Sequence, residues 1–201
     1  AINKKYPNIS ICFGLHPVFV NHHTKQHLNE LEKYTRLNNT KLIGEIGLDK
    51  RINNFDKQFK IFTNQIDIAK NLDKKVILHS VKSHNEILKT INDCRFNNGG
   101  VIHAFNGNFN IAKTYIDLGF KLGICGLITH PNSKIKSILN NIPINSIVLE
   151  TDSPNMKLYE SKQNINTPTS IINIFQTLCD IYQINTDILQ QQIYKNSLDL
   201  I

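Results

Sequence analysis

Five ionisable residues of this chain close short apolar runs, and their types suit hydrolytic metal chemistry. Residues 9–15 lead into His16, 41–44 into Glu45, 76–78 into His79, 100–102 into His103, and 147–151 into Asp152. A sixth run, 121–126, ends without such a residue. Imidazole and carboxylate together are the ligand set of a hydrolytic divalent-metal site. A carboxylate has two oxygens and can span two cations about 3.5–4 Å apart, the separation used in two-metal hydrolysis. Neutral imidazoles add ligands without cancelling the cationic charge that acidifies a bound water. A short, stiff aspartate at a strand end can hold a metal and accept a proton from that water.

The elements that must position these groups are legible from periodicity. A run of apolar residues flanked by polar ones reads as a strand buried on both faces. Between the runs, Phe55, Phe59, Phe62, Ile66 and Ala69 recur at helical spacing, as do Ile87, Leu88 and Ile91. Helices are also predicted over 109–119, 133–140, from Thr167-Pro168 through Tyr182, and after an Asn185 cap. Strand and helix alternate at roughly 20–35 residues per repeat, the register of a parallel sheet. The Gly-rich phosphate turn of a doubly wound sheet is absent. Functional groups at successive strand ends fit a TIM-type (β/α) barrel, incomplete because about six of its eight strands are visible.

Composition narrows the class. The chain has 201 residues, 40% apolar and 19% charged, as in one ordinary globular domain. No apolar run approaches the roughly 20 residues of a membrane span, and residues 1–10 lack a signal-peptide layout, so a cytoplasmic location is expected. Cys12, Cys94, Cys125 and Cys179 are too scattered for a Cys-x-x-Cys site and are read as free thiols. The net charge of +7 permits a polyanionic partner without demanding one, because the lysines form no block.

The ordered motifs add a specific likeness. Phe13-Gly14-Leu15-His16-Pro17, Gly44-Glu45-Ile46-Gly47-Leu48-Asp49, Leu78-His79-Ser80, Ile102-His103-Ala104-Phe105-Asn106-Gly107 and Leu149-Glu150-Thr151-Asp152-Ser153-Pro154 resemble successive signatures of the TatD-related DNase family. The resemblance spans essentially the whole chain. It implies a metal-dependent hydrolase on a distorted β/α barrel, acting on DNA or another phosphodiester. It implies that Glu45 bridges two divalent ions, magnesium, manganese or zinc, that His79 and His103 bind one of them, and that Asp152 binds the other. It further implies that Asp152 activates the attacking water and that His16 lines the substrate end. Asp49 is read as support for its turn or as a hydrogen-bond partner behind the ligands, and Glu150 as reaching inward.

Three departures accompany the likeness. The family opens with a strand ending in His-x-His, which is absent here; His22-His23 has the wrong spacing. Ala1 aligns inside the family's sequence, so an N-terminally truncated member is expected, binding metal poorly and turning over little. The family's arginine two residues after the histidine of the third motif is Val81 here, followed by Lys82, and an expected acidic residue is Asn85. Two rival readings follow: an amide or ester hydrolase of the wider amidohydrolase group, and a non-catalytic remnant. His22, His23, His27, His84 and His130 are read as surface or helix residues.

Overall fold

Apolar runs become parallel strands and amphipathic stretches become helices in a computed structural model that describes residues 5, 6 and 9–201. The chain divides into two compact units, one up to Gly100 and one from Val101 onward. The first unit contains α1 (Lys25–Leu37), β1 (Leu42–Asp49), α2 (Phe55–Asn71), β2 (Lys75–Val81) and α3 (His84–Asp93). β1 and β2 pair in parallel, Ile43 opposite Val76 and Leu48 opposite Ser80, with a register shift between Ile43 and Ile46. Glu45 lies in that shift and is the one residue of β1 that is not buried. Gly47 has φ +147°, and a Cβ there would stand 2.0 Å from the His79 carbonyl oxygen, so only glycine lets the two strands approach this closely. α2 buries Ile61, Phe62, Ile66 and Ala69 together with two glutamines, Gln58 and Gln65.

The second unit contains most of β3 (Gly100–Ile102), then α4 (Phe109–Asp117), β4 (Phe120–Ile124), α5 (Lys136–Leu139), β5 (Ile147–Leu149), α6 (Ile171–Tyr182) and α7 (Thr186–Leu198). β4 and β5 are parallel, Gly123 opposite Val148. Phe105, Tyr115 and Phe120 form a buried aromatic chain with centroids 6.4 and 5.9 Å apart. Asn196 on α7, itself buried, donates to the carbonyls of Ile144 and Ile147 at 2.7 Å each and so fixes the start of β5.

The described residues form five strands, one fewer than expected. The run before His16 makes a single bridge, Phe13 to Ile43, and Gly14 passes close to the Gly44–Glu45 peptide. A Cβ on Gly14 would lie 2.6 Å from the Glu45 carbonyl oxygen. Glu45 and His79 do not terminate their strands: β1 continues to Asp49 and β2 to Val81. α1 was not anticipated, the predicted helix over 133–140 shrinks to α5, and Pro168 opens a 3-10 turn ahead of α6. All four cysteines are free thiols. No helix among the described residues is long and apolar enough to cross a membrane.

Candidate metal centre

In the first unit the backbone brings His16, Glu45 and His79 together; one ligand atom from each lies within 4.8 Å of the others. His16 caps the 3-10 turn Pro17–His22, and its Nδ1 accepts from the Val18 amide at 3.1 Å. The neutral ring therefore carries its proton on Nε2, which stands 3.3 Å from His79 Nδ1 and 3.7 Å from Glu45 Oε1. This is the arrangement of a hydrogen-bond donor, and it separates His16 from the two groups able to offer lone pairs. His23 donates from Nε2 to the His16 carbonyl at 3.0 Å. Burial, followed by the neighbouring His27, Lys57 and His22, lowers the His23 pKa despite that bond.

His79 lies between two carboxylates. Its Nε2 is 3.2 Å from Asp49 Oδ2, and its Nδ1 is 2.8 Å from Glu45 Oε1. The Asp49 side chain is fully buried and also accepts from the Arg51 amide at 2.9 Å, from Arg51 Nε at 3.0 Å and from Arg51 Nη2 at 2.6 Å. Burial alone would raise its pKa, but the Arg51 hydrogen bonds outweigh that and His79 adds to them, holding it at about 2. An ionised Asp49 only accepts, so His79 keeps a proton on Nε2 and turns Nδ1 toward Glu45. The 2.8 Å contact between Nδ1 and Glu45 Oε1 is held either by a proton on Nδ1 or by a metal ion shared between them. The donor set therefore fits a divalent ion.

Two amides on α2 hold the backbone behind these groups. Gln58 Oε1 accepts from the Asp49 amide at 2.9 Å while its Nε2 donates to the Asp49 carbonyl at 3.1 Å. Gln65 does the same for Leu15, at 2.7 and 3.2 Å, one residue before His16.

The second unit carries its own set. His103 follows β3, and its Nδ1 donates to Glu150 Oε2 at 2.8 Å; the Ala104 amide donates to the other Glu150 oxygen. His103 Nε2 then faces Asp152 Oδ1 at 3.5 Å. Glu150 fits because β4 has no side chain at Gly123, where a Cβ would stand 2.9 Å from Glu150 Oε1. Asp152 has φ +54° in the turn after β5. Asn166 pins that turn, donating from Nδ2 to the carbonyls of Thr151 at 2.6 Å and Met156 at 3.2 Å.

The sequence-derived residues thus fall into two sets, His16–Glu45–His79 and His103–Asp152. Asp49 and Glu150 are hydrogen-bond partners of the two imidazoles. Sequence reasoning missed Arg51, Gln58, Gln65, Asn166 and the His23 contact. The helical spacing of seven between Gln58 and Gln65, on the face of an otherwise apolar stripe, was the available signal.

Imidazole–carboxylate sets on a parallel strand–helix framework define a metal-dependent hydrolase of the β/α, TIM-barrel class. A family model described as TatD related DNase matches residues 1–201. The chain belongs to the TatD related DNase family. It is 30% identical over 205 residues to the Escherichia coli K12 metal-dependent hydrolase YjjV, covering 100% of this chain and 79% of that one. It is also 30% identical to a metal-dependent hydrolase of Haemophilus influenzae, over 96% of this chain and 77% of the relative. The crystal structure of YjjV superposes with a TM-score of 0.94 at 29% identity, covering 100% and 79% of the two chains. A TatD family hydrolase from Entamoeba histolytica shares the fold at 23% identity, with a TM-score of 0.86 over 99% of this chain and 78% of that one.

Proposed function

We propose that this protein hydrolyses phosphodiester bonds, with DNA as the substrate, using divalent ions for which Glu45 and His79 are the ligands in the first unit and His103 and Asp152 those in the second. The observation that supports this most directly is the 2.8 Å approach of His79 Nδ1 to Glu45 Oε1, with Asp49 orienting the ring from the Nε2 side. Bound divalent ions would supply Lewis acidity, which makes a water nucleophilic near neutral pH and stabilises charge on phosphoryl oxygens.

The chain's own residues have separable tasks. Asp49 and Glu150 each hold one imidazole in a single tautomer, so that His79 presents Nδ1 and His103 presents Nε2. Asp152, on a short side chain, accepts the proton of the attacking water. His16, with its proton on Nε2, donates to an oxygen of the substrate or of Glu45. The register shift in β1 leaves the Glu45 side chain partly exposed, so that its carboxylate is accessible from solvent.

Calorimetric titration of the chain with manganese and with zinc, alongside cleavage of bis(p-nitrophenyl) phosphate and of DNA, tests the proposal. Cleavage should require added metal, stop in EDTA, and fall about 100-fold in Glu45→Gln or Asp152→Asn. Undiminished cleavage in EDTA would overturn it, as would turnover confined to amides or carboxylic esters.

A further inference from the structure

We infer that the loops following β3, β4 and β5 form a subsite for one nucleotide of a single-stranded nucleic acid, with Tyr159 stacking on the base and Lys134 meeting a phosphate. The inference rests on the phosphodiesterase reading above and names the substrate feature that it would recognise. In the second unit these loops enclose a cleft of about 400 Å³, lined by Asn106, Leu127, His130, Asn132, Lys134 and Tyr159 among others. That volume is in the range of small-ligand sites, roughly 300–1,000 Å³. Asn106 comes three residues after His103, residues 127–134 follow β4, and Tyr159 comes seven residues after Asp152. All the walls therefore leave the C-terminal ends of parallel strands, where β/α folds place their ligands.

The lining has the chemistry of a nucleotide site. Tyr159 is 42% exposed, yet its position is fixed: its amide donates to Thr129 Oγ1 at 2.9 Å, and that hydroxyl donates to the Gly126 carbonyl at 2.7 Å. The Tyr159 ring lies 5.1 Å from the His130 ring, centroid to centroid, at 59°. A large aromatic held open to solvent on a braced backbone has already given up its apolar shelter, and stacking on a base restores it at little further ordering cost. Asn106 and Asn132 offer both donors and acceptors to base edges. Lys134 supplies the cation. A protein ligand would be drawn to a larger surface than this small cleft with an aromatic lip.

Fluorescence anisotropy of a labelled single-stranded oligodeoxynucleotide, titrated with the full chain in EDTA, isolates this subsite from hydrolysis. Tyr159→Ala should weaken binding about tenfold and Tyr159→Phe should restore it, since stacking needs the ring and not the hydroxyl. Lys134→Ala should weaken binding and flatten its dependence on salt by about one phosphate contact. Circular dichroism of each variant checks that the fold survives. Equal affinity in Tyr159→Ala and the unaltered chain overturns the inference, and so does failure of the unaltered chain to bind. Metal-dependent cleavage of bis(p-nitrophenyl) phosphate, which is too small to need the subsite, then shows whether the hydrolase reading stands without it.

Discussion

Asp49 shows how much one carboxylate contributes when it is buried against a cation. Arg51 satisfies it from three nitrogens while His79 claims the remaining direction. Its pKa of about 2, against an ordinary 3.8, means the folded state favours the ionised form. A depressed pKa stabilises the fold above pH ~4, and this stabilisation is lost as pH falls through about 2. Asp49→Asn should therefore lower the unfolding free energy at pH 7 by at most about 2 kcal/mol, an upper bound because the Arg51 guanidinium is largely in solvent. Urea denaturation at pH 7 and pH 3 should show the gap between the two proteins narrowing in acid. The same substitution should weaken metal binding ~10–100-fold, because His79 would lose the partner that fixes its tautomer. A variant with unchanged affinity would make Asp49 a turn residue only.

At the scale of elements, α2 holds the first unit's site as well as packing its core. Gln58 and Gln65 are buried among its apolar residues and each satisfies both backbone groups of one residue, Asp49 and Leu15. Gln65→Leu would preserve bulk but strand the Leu15 amide and carbonyl, at a cost of about 1–3 kcal/mol for each group left unpaired. Chemical denaturation should show the loss, and the His16 ring resonances should broaden as its backbone loosens. Sequence periodicity exposed the apolar stripe of α2 but not this task, because an amide that serves backbone groups looks the same as a solvated one until its partners are known. α1 escaped for a related reason. Its Thr24 amide donates to His27 Nδ1, with histidine where the usual box has Glu or Gln, and only Leu31 and Thr35 are buried along its length. The helices α2, α3 and α7 were legible because their apolar spacing or caps are ordinary. Glu45, His79, His103 and Asp152 stood out because an ionisable group interrupting an apolar strand is costly unless something pairs with it. That two of them lie within strands was invisible, since β1 continues to Asp49 through a register shift that no residue type signals.

For the whole molecule, the net charge of +7 is what a long polyanion would meet first. Several exposed charges are already matched along their own helices, Glu32 with Arg36, Lys89 with Asp93 and Lys113 with Asp117, so the surplus lysines set the field. Oligodeoxynucleotide affinity should fall with added salt, at a logarithmic slope of about −0.7 for each phosphate neutralised. Anisotropy titrations between low and moderate salt measure this, and an affinity indifferent to salt would leave the charge with no part in recognition. Each unit also relies on buried amides as fasteners: Gln58 and Gln65 in one, Asn166 and Asn196 in the other. Such fasteners age. Spontaneous hydrolysis of the Asn166 or Asn196 side chain would leave an anionic oxygen facing the carbonyls that an N–H now holds, turning attraction into repulsion. Old preparations of this protein would then decay from the turn after Asp152 and from the root of β5, while their apolar cores were still sound.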